Sequence, residues 1–203
     1  LSEVSSPEAC VALAALLRKK GLGDFQSYHV EGRDSYTGFD VGFVSRVVPD
    51  RIEGELIHLF APDRTPRLRD VQNGATQLPW TTERYSRPQE EGEPAESIAV
   101  LKRHAVCFFS LSGHKVGLIG LHLKSNPSDP QANAQRTAEA VIVRRIVQRE
   151  IVSRGYLPII LGDLNDYDPD VEMADLTRKT ETSVLRILKD IDPQRDGDEL
   201  VNV

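Results

Sequence analysis

Hydrophobic and polar positions recur along this chain with two periods, and the switches between them divide it into elements. Leu1-Ser2-Glu3-Val4 reads as the end of a strand; Ser5 and Ser6 then precede Pro7, and Glu8 stands three residues after Ser5. A serine followed at that distance by a glutamate is a capping-box pattern, and proline favours the first helical turn. Val11, Leu13, Ala14, Leu16 and Leu17 form one apolar face at helical spacing, and Gly21 is suited to stop the helix. From Phe25 to Val48 the period shortens. Residues 26–30 and 39–45 read as strands around a polar turn at Gly32, Asp34 and Gly38, which together predict a hairpin. Residues 52–60 predict another strand. Residues 62–94, rich in Pro, Arg, Glu, Gln and Thr without periodicity, read as a long surface loop.

In the second half, residues 99–109 and 115–122 predict two strands joined by Ser112-Gly113-His114. Asp129 before Pro130 marks a helix start. Ala134, Ala138, Val141, Ile142, Val147 and Ile151 then recur at helical spacing as far as Gly155, so the helix should run to about two dozen residues. Residues 156–161 contain the short apolar run Leu-Pro-Ile-Ile-Leu, which reads as a buried central strand with proline at its entrance, and this run ends in Gly162-Asp163-Leu164-Asn165. Beyond it the pattern predicts a turn at Asp168-Pro169, helices around 171–178 and 182–190, and the start of a further element at 200–203. No internal repeat is visible.

A chain of 203 residues fits one large domain better than two small ones. With 39% hydrophobic and 28% charged residues it has the composition of an ordinary globular domain, and no apolar run is long enough to span a membrane. The net charge of −6 argues against affinity resting on a globally basic face, yet a few arginines and a divalent cation suffice for a local polyanion site. Cys10 and Cys107 lack metal-ligand spacing and read as packed thiols. No signal-peptide pattern precedes the first helix, and the cellular address stays open.

Chemistry concentrates at two strand ends. In Gly162-Asp163-Leu164-Asn165 a carboxylate and a carboxamide two positions apart on a strand point to the same side. The aspartate can polarise or deprotonate a water, and the asparagine can donate to a phosphoryl oxygen without adding a repelling charge. The same four residues are also good turn formers. In Leu121-His122-Leu123-Lys124-Ser125 the imidazole of His122 could bond a phosphate oxygen or a leaving group. A strand, a crossover helix and a second strand place both motifs on one edge if the strands are neighbours. His29, His58, His104 and His114 show no ligand spacing and read as surface or packing residues, as do the charged members of 40–46.

These residues resemble the central signature of the endonuclease/exonuclease/phosphatase family, the deoxyribonuclease-I-like proteins. The resemblance implies an α/β fold of two packed β-sheets with helices on the outer faces, a four-layer α/β sandwich, spanning 1–203 as a single domain. It implies a Mg²⁺-dependent hydrolase of phosphoester bonds, with Mn²⁺ or Ca²⁺ as alternative ions. Glu3, in a segment similar to the family's Glu-Val, would be the metal ligand; His122, Asp163 and Asn165 would be catalytic; Arg103 and Asn165 would hold substrate phosphate.

A guanidinium suits bidentate contact with phosphate. The partner would be nucleic acid or another phosphoester, with a nuclease or phosphodiesterase preferred. The alternatives are a phosphomonoesterase acting on small or lipid phosphates and a noncatalytic module that keeps the scaffold. The family's first strand, carrying an Asn near the metal, is expected before Leu1, and its closing Asp-His pair after Val203. Without them the fold would be truncated at both ends, catalysis incomplete, and sheet edges left open to self-association.

Overall fold

A computed structural model describes residues 1–166, 184–189, 191 and 200. The turn at Asp168-Pro169, the helix at 171–178 and all but Leu200 of the element at 200–203 lie outside the described residues. In chain order the elements are α1 (Pro7–Lys19), β1 (Gln26–His29), β2 (Gly42–Ser45), α2 (Leu68–Gln72), β3 (Thr82–Arg87), β4 (Ala95–Val100), β5 (His104–Leu111), β6 (His114–His122), α3 (Pro130–Ile146), β7 (Leu157–Asp163) and α4 (Val184–Lys189). The fold is mixed α/β, as expected. None of its helices among the described residues is long and apolar enough to cross a membrane. Contacts divide the chain into two compact units, one built from Leu1–Phe60, Lys102–His122 and Arg149–Asp163, the other from Ala61–Leu101, Leu123–Gln148 and Leu164–Val203.

In the first unit α1 begins at Pro7 as predicted, but its N-cap is Ser6, and no side chain caps it. The expected box between Ser5 and Glu8 is replaced by a bond between Ser6 and the Glu8 carboxylate, which lowers the pKa of that carboxyl. Cys10 and Ala14 are buried on the inner face of α1. Only glycine fits opposite Cys10, because a Cβ at Gly42 would lie 2.5 Å from its sulfur. β1 and β2 pair antiparallel from Gln26↔Ser45 to His29↔Gly42, the predicted hairpin.

Residues 52–60 do not form the predicted strand. Ile52 and Glu55 close a tight turn on themselves, and only His58 bridges to Val106. The turn at Ile52–Glu55 on one side, and on the other the Phe60 amide, which donates to Nε2 of His104 at 2.9 Å, leave room for that one bridge between them.

The three-stranded sheet of this unit has the order β5-β6-β7, antiparallel then parallel. Val106, Cys107, Phe108, Ile119 and Leu121 are fully buried. Both cysteines are free and buried, the packed thiols expected, and burial pushes the Cys107 thiol up to about 12. β7, expected as a buried central strand, is instead the edge strand of this sheet among the described residues, and its Leu157, Ile159 and Leu161 are exposed because no further strand or helix among them covers that run.

The second unit corrects the reading of 62–94 as a loop, since this segment contains α2 and β3. β3 pairs antiparallel with β4 from Thr82↔Val100 to Arg87↔Ala95. Polar residues hold it: Arg145 of α3 donates to the Thr82 carbonyl at 2.9 Å and pairs with Glu83. The predicted strand 99–109 is two strands, parted at Leu101-Lys102-Arg103, where β4 belongs to the second unit and β5 to the first.

α3 starts as predicted, with the Asp129 carboxylate accepting from the Gln131 amide at 2.9 Å. After Ile146 the helix continues as one π turn (Val147–Ile151) and one 3₁₀ turn (Val152–Arg154) and stops at Gly155, whose φ of 77° a glycine adopts without strain. α4 falls within the helix expected at 182–190, and its Val184 amide donates to Asp166 at 3.1 Å.

Candidate functional site

Three of the sequence-predicted residues meet in the first unit, at the carboxyl end of β6. Parallel pairing sets His122 opposite Asp163, so their side chains share one face of the sheet. The His122 amide donates to the Arg103 carbonyl at 3.0 Å, which extends the row to a third residue. The Gly162 before Asp163 has a structural cause. Its φ is 125°, and a Cβ there would lie 2.1 Å from the Leu121 carbonyl oxygen, so the strand can close against β6 only with glycine.

Glu3 reaches the same place from the other end of the sequence. Val4 and Asp40 exchange both backbone hydrogen bonds, at 3.0 and 2.8 Å, and this bridge fixes the residue that follows Glu3. The Glu3 backbone is left-handed, φ 56°, and one carboxylate oxygen lies 3.6 Å from Nε2 of His122. The Glu3 side chain is 58% exposed and that of His122 3%, so the carboxylate faces water while the imidazole does not. Asn165 also has a left-handed backbone, φ 51°. Non-glycine residues held in this region cost about 1–3 kcal/mol and cluster at functional sites.

His122 is neutral near pH 7. Burial lowers its pKa, and the Arg103 charge adds to this; Asp163, Glu3 and Asp34 pull the other way without reversing it. Its Nδ1 is buried and has no hydrogen-bond partner among the described residues. A neutral imidazole offers one donor and one acceptor, which suits it to bond a phosphoryl oxygen without first losing a proton.

Arg103 is held by a residue that sequence reasoning missed. Its Nε lies 3.8 Å from Oδ2 of Asp34, and both side chains are about nine-tenths buried. Burial alone would raise the Asp34 pKa; hydrogen bonds from the Thr37 hydroxyl and the Tyr36 amide, together with the Arg103 charge, reverse that and lower it. The run Asp34-Ser35-Tyr36-Thr37-Gly38 is visible in sequence as a turn, but its pairing with a residue far along the chain is not.

Asn165 lies in the second unit, where its Nδ2 donates to the Leu123 carbonyl at 3.1 Å. The same segment is gripped from α3: Arg136 donates to the Lys124 carbonyl at 2.7 Å, and Glu139 accepts from the Lys124 amide at 2.8 Å. Arg136 is fully buried. Burial lowers its pKa, offset in part by Asp166, Glu139 and Asp129. In sequence its place in the first turns of the long helix suggests capping or tethering a loop, and its bond to the Lys124 carbonyl is such a tether; its complete burial is visible only in the structure.

Among the described residues no group of three or more His, Cys, Asp or Glu side chains could by itself hold a metal ion. Mg²⁺ rarely needs one, because it keeps several waters and takes one or two carboxylates plus substrate oxygens. The solvent-facing oxygen donor of Glu3 fits that requirement. Comparison with known proteins found no matching family model, no matching curated protein and no matching solved structure.

Proposed function

We propose that this chain carries the site of a metal-dependent phosphoester hydrolase, a nuclease or phosphodiesterase by preference. The observation that carries the reading is the approach of Glu3 to His122 at 3.6 Å, with Asp163 beside His122 in register. Residues from three distant parts of the sequence stand together at one strand end.

In this reading Glu3 would hold a divalent ion, and such an ion would supply positive charge to offset the negative charge on the phosphoryl group. Asp163 orients or deprotonates the attacking water. His122, being neutral, donates to a nonbridging oxygen or to the leaving group, and Arg103 adds a fixed positive charge nearby. The Asp34 pair holds the Arg103 guanidinium in one orientation, so that less rotamer freedom is lost when phosphate arrives.

The test is hydrolysis by the full-length protein, with and without Mg²⁺, of plasmid DNA, RNA, a chromogenic phosphodiester, a chromogenic phosphomonoester and phosphorylated inositols. Magnesium-dependent turnover of a diester is expected. His122→Ala and Asp163→Ala should each lower it by at least about a hundredfold while the circular dichroism spectrum stays unchanged. Unaltered turnover in either variant refutes the assignment, and turnover of monoesters alone would move the reading to a phosphatase.

A further inference from the structure

Asp40 reads from the sequence as an ordinary structural member of a hairpin strand, but the contacts of its side chain give it a narrower task. The residue is 8% exposed. Burying a carboxylate costs several kcal/mol unless it is hydrogen-bonded and paired. Oδ1 accepts from the Gly32 amide at 2.7 Å, and Oδ2 lies 3.2 Å from Nε2 of His29. The approach to Gly32 is unusually close: a Cβ there would sit 2.6 Å from Oδ1 and 2.7 Å from the Lys102 carbonyl oxygen.

Two arms leave this carboxylate, and both end in the candidate site. One runs through the backbone of Asp40 itself, whose paired bonds to Val4 fix the neighbour of Glu3. The other runs through Gly32 to Arg33, whose amide donates to the Lys102 carbonyl at 2.8 Å, and so to Asp34 and the Arg103 it pairs with. All of these residues belong to the first unit. Glu3, Asp34 and Arg103 are also three of the four groups whose charges act on His122.

We propose that Asp40 is a positioning residue, its buried carboxylate holding Glu3 and the Asp34–Arg103 pair at a fixed spacing about His122. The consequence for activity rests on the hydrolase reading; the anchoring itself does not. A residue serving only to fill space could be replaced by any side chain of similar volume, whereas this one needs an acceptor at Oδ1.

The experiment compares wild type with Asp40→Ala, Asp40→Asn and Gly32→Ala by site-resolved amide hydrogen exchange, and by kcat and KM in Mg²⁺. In Asp40→Ala the Val4, Gly32 and Arg33 amides should exchange at least about tenfold faster, with the Val106 and Ile119 amides of the sheet unchanged. A misplacement of about 1 Å can cost about a hundredfold, so kcat should fall by up to that factor while KM moves far less. Asp40→Asn keeps an acceptor for Gly32 and should recover most of the protection and part of kcat. Gly32→Ala displaces the carboxylate sterically without removing charge and should reproduce the alanine variant, so it carries the comparison if Asp40→Ala does not fold.

Unchanged exchange at Val4 and Gly32 in the variants overturns the proposal, and so does accelerated exchange with an unaltered kcat. If wild type hydrolyses nothing, the hydrolase reading falls, while the exchange data still decide whether Asp40 anchors both arms.

Discussion

Two histidines in the first unit make an instructive pair. His122 and His58 both have a pKa lowered first of all by burial, and both keep a buried ring nitrogen that has no hydrogen-bond partner among the described residues. Their surroundings differ. His58 stacks on Phe60 with ring centres 5.8 Å apart and meets the edge of Phe108 at 5.6 Å, and Phe108 in turn packs against Tyr156. The polar groups beyond are spent on one another: the Tyr156 hydroxyl and the Ser110 hydroxyl both donate to Asp50.

Around His122 stand three carboxylates and a guanidinium, one of the carboxylates facing water. Burial depresses an imidazole in either place. Charges also act on His58, from Glu53, Glu55 and Arg154, but that guanidinium is already paired with Glu53 and Glu150, whereas His122 has Asp163 beside it in register and the water-facing Glu3 carboxylate 3.6 Å away, so burial by itself does not identify a site.

The largest effect expected from this contrast is on turnover. His122→Ala should cost about 10²–10⁴-fold in magnesium-dependent hydrolysis, the usual contribution of a positioned proton donor, whereas His58→Phe, which preserves the stack, should leave it unchanged. Equal losses in both would erase the distinction. Next in size is backbone strain. Gly162→Ala should destabilise the fold by about 3 kcal/mol, because its Cβ would strike the Leu121 peptide. Gly155→Ala, beside Tyr156 with φ 77° but open space around it, should cost only about 1–2 kcal/mol. Urea denaturation of the two variants measures the difference.

The smallest effect is the pH dependence of stability. Both histidines bind a proton less readily in the folded chain than in the unfolded one, so the unfolded state takes it up first as pH falls below about 6.5. Their contribution to stability is therefore complete above that pH and is lost on acidification. The Asp34 carboxyl, lowered in the folded state, adds its own loss only further down, below about pH 4. Denaturation midpoints between pH 7.5 and 5 should fall, and the fall should shrink in His58→Phe and in His122→Asn. A fall left intact in either variant would mean that its histidine does not carry the loss.

Much of the scaffold near the candidate site was legible in the chain. Asp129-Pro130, the helical repeat after it and the run into Gly162-Asp163 located α3 and β7 because each signal is local: a cap, a period, an apolar strand. β3 was not legible. Thr82-Glu83-Arg84-Tyr85-Ser86-Arg87 carries no apolar alternation, and its pairing depends on β4 and on Arg145 of a distant helix. The strand expected at 52–60 failed for the opposite reason, since its apolar residues pack with a single bridge, between the turn at Ile52–Glu55 and the Phe60 amide bonded to His104.

The sequence alone determined which chemistry is present and where each piece sits on its own element: Glu3 before a helix, His122 and Asp163 at strand ends, glycine before the aspartate. Spacing within an element is a local property, so it can be read from neighbours. Tertiary structure alone decided that Glu3 lies against His122, that Asp34 holds Arg103, and that Asp40 is tied to Val4 and Gly32 at once. Those contacts join segments far apart in the chain, and no local period encodes the partner that a buried charge must find to offset the loss of its water.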